Sequence, residues 1–136
     1  MNKERLTQLA ERLLTIPEEI SEKQGMVLDY NDQVQSISSE IAQIESVIKT
    51  EINAQVDDNG KKLYSNAESR EAAFIEAAAS NDDLMEKKNS LSSVQGYMAI
   101  ERIKIESLSN EQRNIRSILY FFGGSDDAVE RILSQR

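Results

Sequence analysis

Apolar side chains recur every three or four residues along most of this chain. In the first half they fall at Leu6, Leu9, Leu13, Ile16 and Ile20, and again at Val27, Tyr30, Val34, Ile37, Ile41, Ile44 and Ile48. In the second half they fall at Leu84, Leu91, Val94, Met98, Ile105, Leu108, Ile115, Leu119 and Phe122. A spacing that repeats every seven residues places one narrow apolar stripe on a helix, the seam of a coiled coil. The pattern predicts an all-α protein.

The two seams are neither pure nor narrow. Glu101 and Gln112 interrupt the second seam, and polar seam residues lower stability while often fixing the register of the helices. Further apolar residues lie beside the seams, at Val47, Ile52, Ile75, Tyr97, Ile100, Ile103 and Ile118. Widened stripes favour contact among three or more helices. We therefore expect the chain to self-associate into a dimeric helical bundle.

Helix ends are predicted from capping residues and from proline. Thr15 can cap and Pro17 is tolerated in a first helical turn, which predicts a short helix at about 3–14 and a long one at about 16–56. In the second half Asn66 supplies a cap for a helical arm at about 67–122. Inside that arm, the polar residues 80–83 either cap a new helix or form a tolerated polar turn.

The only dense group of turn residues lies between these two arms, at about 57–66. The segment Asp57-Asp58-Asn59-Gly60 reverses the chain because Asn and Gly accept left-handed backbone conformations. A β-hairpin is not expected, since the flanks lack the alternating β-branched residues of strands. The sequence therefore predicts a single domain, 1–136, built as a long antiparallel helical hairpin, a coiled coil with a tip at 57–66.

A short capped helix at about 125–135 follows Gly123-Gly124. Its apolar face consists of Ala128, Val129, Ile132 and Leu133. Because helices of fewer than ~12–15 residues are marginal alone in water, this face needs cover. We expect it to dock on Leu6, Leu9 and Leu13. The alternative is that the segment orders only on a partner.

The composition offers little for catalysis. The chain has no His and no Cys, so the commonest general base, nucleophile and zinc ligands are absent. Glu18, Glu19 and Glu22 resemble the Glu-Glu-x-x-Glu element with which all-α nucleotide pyrophosphatases hold Mg²⁺, but residues 34–50 lack the Glu-x-x-Asp that this family also needs. Acidic residues also suit the first turn of a helix. We expect no enzyme, no metal and no cofactor.

Net charge bears on the choice of partner. The chain carries −8 overall, and residues 1–60, with five basic and twelve acidic residues, carry −7. Nucleic-acid binding is not expected, because it depends on clustered Lys and Arg. Glu40, Glu45 and Glu51 mark an acidic helix face, which is either simply solvated or imitates a phosphate backbone toward a basic partner.

Two aromatic groups are candidate contacts for a protein partner. At the tip, Lys61 and Lys62 accompany Tyr64, which either folds back onto the helices or contacts a partner. At the other end Tyr120 and Phe121 precede Phe122, and this cluster either packs in the core or forms a docking patch. No run of ~18 apolar residues predicts a membrane span, and the first residues do not resemble a signal peptide. We expect a cytoplasmic location in a bacterial host.

The tip also resembles a known group of proteins. Its residues Asn59, Gly60, Lys61, Tyr64, Ser65, Asn66 and Arg70 match the tip of small coiled-coil proteins from phages and prophages of Gram-positive bacteria. The resemblance implies a phage-type accessory protein, acting near recombination or host defence. With the heptad pattern it favours a non-catalytic protein that self-associates and binds an unidentified protein partner.

Two other functions stay open. One is an acidic inhibitor of a host nucleic-acid-binding or defence enzyme, favoured by the net charge of −8 over residues 17–58. The other is a recombination accessory that contacts DNA. Its support is the basic tip and four residues of the late helix, namely Arg102, Lys104, Arg113 and Arg116, although neighbouring glutamates interrupt any basic stripe.

Overall fold

The structure is a computed structural model that describes residues 2–123 and 128–135. These residues form four helices: α1 (Lys3–Ala54), α2 (Ala67–Ala79), α3 (Asp82–Gly123) and α4 (Ala128–Ser134). No strand occurs among the described residues, so the prediction of an all-α fold is confirmed. The long helix α1 packs against α3, as the two seams predict.

The contacts group the chain into two compact units. Unit 1 comprises residues 1–29 and 98–136, and unit 2 comprises residues 30–97. Helices α1 and α3 each contribute residues to both units. Each unit has its own apolar core.

In unit 1 the start of α1 packs antiparallel to the end of α3. Arg12 pairs with Glu111 and Lys23 pairs with Glu101, so residue numbers fall along α3 as they rise along α1. The buried core consists of Leu9, Ala10, Leu13, Ile16, Ile115 and Leu119. Each fully buried aliphatic side chain contributes about 1.5–3 kcal/mol relative to an exposed one.

The short helix α4 belongs to the same core. Ile132 and Leu133 are half-buried and pack against the cluster that contains Leu9 and Leu13, with Leu6 beside it. The prediction that the last helix docks on the first leucines of the chain is therefore confirmed for these two side chains. The predicted cap at Ser125 and residues 124–127 lie outside the described residues.

Unit 2 combines the later part of α1 with α2 and the start of α3. Its buried core consists of Ile41, Ile48, Ile52 and Leu84, with half-buried side chains of α2 such as Phe74 packed around it. The pairs Tyr30–Tyr97, with ring centroids 5.9 Å apart, and Glu40–Lys87, at 2.8 Å, show that α1 and α3 are again antiparallel. Ile52 lies in this core, although its spacing places it beside the seam.

The predicted helix break at Thr15 and Pro17 is wrong. Instead of helices at 3–14 and 16–56, α1 runs without interruption from Lys3 to Ala54, with Pro17 inside it. The hydroxyl of Thr15 donates to the carbonyl of Arg12 at 2.9 Å, within the helix, and does not cap a new one. Proline costs a helix about 3 kcal/mol through one lost hydrogen bond and a clash. Leu13 and Ile16, both buried against α3, offset that cost.

The arm predicted at 67–122 is helical apart from a break at residues 80–81, where the sequence left two alternatives open. It is divided into α2 and α3, and of the two alternatives for residues 80–83 the capping one is confirmed. The side chain of Asn81 accepts a hydrogen bond from the Leu84 backbone N–H at 2.9 Å, and Leu84 is fully buried. At the start of α2, Asn66 and Ser69 form a reciprocal capping box, as Asn66 predicts.

Phe122 is the one seam residue of α3 whose prediction clearly fails, since it is 49% exposed. The antiparallel register explains its exposure. Arg12 lies opposite Glu111, so Phe122 reaches the level at which α1 begins at Lys3. No turn of α1 is left to cover it. Leu119, one turn earlier, still meets α1 and is buried.

Candidate interaction surfaces

The tip of unit 2 is a tightly bonded loop. The Asp57 carboxylate accepts hydrogen bonds from the backbone N–H groups of Asn59 and Lys61, at 2.9 and 3.0 Å. Gly60 has φ +79°, a left-handed conformation that glycine adopts without strain. Val56 and Lys62 form one isolated antiparallel bridge. The expectation that this turn makes no β-hairpin holds for strands, but a single bridge of that kind is present.

This loop presents its lysines and covers its tyrosine. Lys61 and Lys62 are exposed, whereas Tyr64 is half-buried and packs against the apolar core of unit 2. Of the two alternatives for Tyr64, the structure therefore supports folding back onto the helices. Lys61 and Lys62 remain available to a partner, and Leu63 between them and Tyr64 is half-exposed.

A shallow groove lies beneath the tip, between α1 and α2. Its lining residues are Lys49, Ile52, Asn53, Ala67, Arg70, Glu71 and Phe74. The Lys49 ammonium lies 4.9 Å from the centre of the Phe74 ring, within the range of a cation–π contact. Arg70, one of the residues that carry the phage resemblance, lines this groove. Sequence reasoning did not find this groove, because it left open whether α2 is a separate helix.

The three residues of the predicted acidic face do not share one environment. Glu40 is half-buried and pairs with Lys87 of α3, whose pKa is raised by the hydrogen bond to that carboxylate. Glu45 is half-buried and Glu51 is exposed. One of the three charges is therefore matched within the chain, and Glu51 is the one of the three that is fully exposed.

The aromatic cluster at the end of α3 is exposed. Tyr120 is 58% exposed and Phe121 is 78% exposed, and the rings of Phe121 and Phe122 meet edge to face with centroids 5.0 Å apart. Core packing, the first alternative for this cluster, is wrong, because these rings lie beyond the turns of α1 or point away from the seam. The cluster is a patch of large apolar side chains in water, which is typical of a binding surface.

Glu101 is the one buried charged residue among those described. It is 6% exposed, and its two carboxylate oxygens face two lysines. The Lys104 ammonium donates to Oε1 at 3.3 Å, and the Lys23 ammonium lies 3.6 Å from Oε2. Among the described residues Oε2 has no hydrogen-bond partner. Such a seam carboxylate costs stability but discriminates among helix registers, because a shifted register would leave it without Lys23.

Arg12 links three acceptors at the surface of unit 1. Its guanidinium donates to both oxygens of Glu111, at 2.7 and 3.0 Å, and also to Glu19 and to the Thr15 hydroxyl. The hydrogen bonds from Arg12 lower the pKa of Glu111, against the opposing effect of partial burial. The same bonds raise the pKa of Arg12. This bidentate pair joins α1 to α3 on the N-terminal side of Pro17.

We expect Glu111→Gln to weaken unit 1 in a pH-dependent manner. Because the folded-state pKa of Glu111 is lowered, its stabilising contribution is present above the unfolded-state pKa and is lost as pH falls through the folded value. The Glu111 side chain is 40% exposed, so at neutral pH the free energies of unfolding of the wild type and the variant should differ by less than about 1 kcal/mol. Urea unfolding from neutral pH down to pH ~2.5 measures it.

Glu18→Gln in the same unit is the matched control, since Glu18 is exposed. On acidification the difference in free energy of unfolding between the wild type and Glu111→Gln should disappear. The difference between the wild type and the control variant should stay small at every pH. A Glu111→Gln gap that widens as pH falls would contradict the pairing with Arg12.

The carboxylates of the pyrophosphatase-like element do not converge. Glu18 and Glu22 are exposed, and Glu19 binds Arg12. Among the described residues no group of three acidic side chains is arranged to hold a metal ion. The alternative of a helix start is wrong as well, because these residues lie inside α1.

Sequence reasoning missed Lys23 and Arg12 and partly found Glu101. A signal for Lys23 was present, since it falls on the seam spacing between Ile20 and Val27. No such signal existed for Arg12, because it lies beside the seam. Its ion pair depends on which residue of α3 lies opposite, which the spacing does not determine.

The structure contains no helix, within residues 2–123 and 128–135, of the length and hydropathy that crossing a membrane requires. No protein-family model, curated protein or solved structure matches this chain.

Proposed function

We propose that this protein is a non-catalytic, phage-type accessory protein that acts by binding protein, both a second copy of itself and a separate partner. The proposal rests above all on the exposed apolar side chains of α3 in unit 1. They are Ile100, Ile103, Tyr120, Phe121 and Phe122. Aromatic residues and exposed apolar patches are enriched at protein interfaces and are costly to leave in water.

Other features support a binding function over catalysis. The chain has no His and no Cys, and Glu19, Glu40 and Glu101 pair with Lys or Arg. The tip displays Lys61 and Lys62 on a loop that is fixed by Asp57, which suits recognition by a partner with acidic groups. The phage-type assignment is drawn from the resemblance of this tip alone.

Sedimentation equilibrium of the wild type from about 1 to 100 μM tests self-association. This range detects dimers with micromolar dissociation constants, which correspond to a binding free energy of ~8 kcal/mol. We expect the mean mass to rise with concentration above the 15.4 kDa of one chain. A constant mass of 15.4 kDa in a helical sample would contradict self-association.

The acidic inhibitor remains a second candidate, and Glu45 and Glu51 provide its test. Reversing both to lysine, with Glu40 left in its pair with Lys87, should abolish binding to a basic partner if the acidic face is the contact. Binding that survives the reversal would eliminate this candidate.

A further inference from the structure

The outer side of α3 in unit 1 carries a second stripe with the spacing of a seam. It consists of Ile100, Ile103, Ser107, Asn110, Asn114 and Ser117, and we call it the outer stripe. All six side chains are exposed and none is charged, in a chain with 29% charged residues. Ile103 is 65% exposed. The heptad spacing places these residues on one face, away from the seam that packs on α1.

The exposed face of α1 in the same unit has the opposite character. It carries Glu4, Glu11, Glu18, Glu22 and Asp29. Two copies of this acidic chain repel each other through such a face. The outer stripe of α3 can meet its own copy without that repulsion, which is the first requirement of a symmetric interface, where the same patch faces itself.

Charged residues flank the outer stripe on both sides. At 100° per residue, Lys104 and Glu111 lie along one edge and Glu106 and Arg113 along the other. Along the sequence these four read positive, negative, negative, positive, and they are symmetric about the midpoint between Leu108 and Ser109. When two such helices lie antiparallel, each positive residue of one helix lies near a negative residue of the other.

We propose that two copies of this protein pair antiparallel through the outer stripes of α3, around a twofold axis at that midpoint. This inference rests on the self-association proposed above and adds its surface and its direction. Ile100 then faces Ser117 of the second copy and Ile103 faces Asn114. Ser107 faces Asn110, and these short polar side chains allow hydrogen bonds across the centre and a close approach of the helices.

The flanking charges select this direction. In the antiparallel pair Lys104 lies beside Glu111 of the second copy and Glu106 beside Arg113, and symmetry forms each attraction twice. In a parallel pair, a residue on one edge meets the residue five positions later on the opposite edge of the other helix. Glu106 would then lie beside Glu111 twice. Lys104 and Glu111 are also paired within the chain, with Glu101 and Arg12. Glu106 and Arg113 therefore contribute most to the choice of direction.

Charge reversal at Glu106 tests both the surface and the direction. Glu106→Arg places arginine beside Arg113 at both ends, so the dimer dissociation constant from sedimentation equilibrium should rise about 10-fold. Glu106→Arg with Arg113→Glu restores both attractions and should return the constant to near the wild-type value. Glu18→Arg, on the exposed face of α1, changes net charge equally and should not weaken the dimer.

The outcomes separate this inference from the proposed function. If Glu106→Arg leaves the dimer dissociation constant unchanged, or if Glu18→Arg raises it equally, the proposed interface is wrong while self-association stays in place. A dimer strengthened by Glu106→Arg would show a parallel pair. A wild type that remains at 15.4 kDa would remove both proposals together.

Discussion

Lys23→Met is expected to lower the free energy of unfolding by about 3 kcal/mol, the lower end of the cost of breaking a buried ion pair. Glu101 is buried, and Lys23 is the only cation that α1 brings to it among the described residues. Lys104 stays beside Oε1, but its own side chain is 51% exposed and leaves Oε2 without a partner. The buried Glu101 carboxylate would then keep only one of its two neighbouring lysines.

Glu101→Leu should raise the free energy of unfolding or leave it unchanged. Leucine completes the heptad seam of α3, and exchanging a buried charged group for a well-packed apolar one is often neutral or stabilising by about 1–4 kcal/mol. Lys23 can then extend its ammonium toward water. The double variant Lys23→Met/Glu101→Leu should therefore recover what Lys23→Met alone loses.

Urea unfolding followed by circular dichroism gives these free energies. Lys88→Met is the matched control, since Lys88 is an exposed lysine of α3, and it should change stability by less than about 0.5 kcal/mol. If Lys23→Met behaves like this control, Glu101 does not depend on Lys23 and the seam contact is not as described.

Leu84→Ala and Ile16→Ala should each cost about 2–5 kcal/mol, the range for deleting a buried branched side chain and leaving a cavity. Both side chains are fully buried, Leu84 in the core of unit 2 and Ile16 in that of unit 1. The backbone N–H of Leu84 also donates to the Asn81 cap, so this backbone is fixed and the site can collapse only slightly.

Leu28→Ala provides the comparison for both, because Leu28 is an exposed leucine of α1. It should alter the urea midpoint little. A loss below about 1 kcal/mol for either core variant would mean that the corresponding core is not packed as the structure shows.

The heptad spacing was sufficient to predict the fold class and most of the core. Leu9, Leu13, Ile41 and Ile48 are all buried where the first seam places them. The same spacing continues from Ile16 to Ile20, Lys23 and Val27 without a phase shift across Pro17. That continuity was the signal for one helix, and the local helix-start chemistry of Thr15 and Pro17 competed with it. Tertiary packing decided the outcome.

Features that depend on long-range register could not be derived in this way. The exposure of Phe122 follows from where α1 starts relative to α3, and the Arg12–Glu111 pair follows from the same alignment. Heptad spacing identifies the face that packs, but it does not identify which turn lies opposite which. The exposure of the candidate contact residues also differs from one to another: Lys61 and Phe121 are exposed, whereas Tyr64 is largely covered.

The outer stripe shows a related limit. Ile100 and Ile103 were recognised as lying off the seam, but only the exposure of the whole face shows that they continue through Ser107 to Ser117 as a second heptad stripe. Once that face is defined, the flanking charges at Lys104, Glu106, Glu111 and Arg113 can be compared across a symmetry axis.

Disulfide trapping tests most directly whether α3 meets a second α3 through the outer stripe. The chain has no cysteine, so two single variants, Ile103→Cys and Asn114→Cys, can be oxidised separately and as a mixture. In the antiparallel pair position 103 faces position 114, while the two copies of position 103 lie ~16 Å apart along the axis, beyond the reach of a disulfide. We predict covalent dimers from the mixture and none from either variant alone. Covalent dimers from either variant alone, or none from a mixture that sediments as a dimer, would contradict the account.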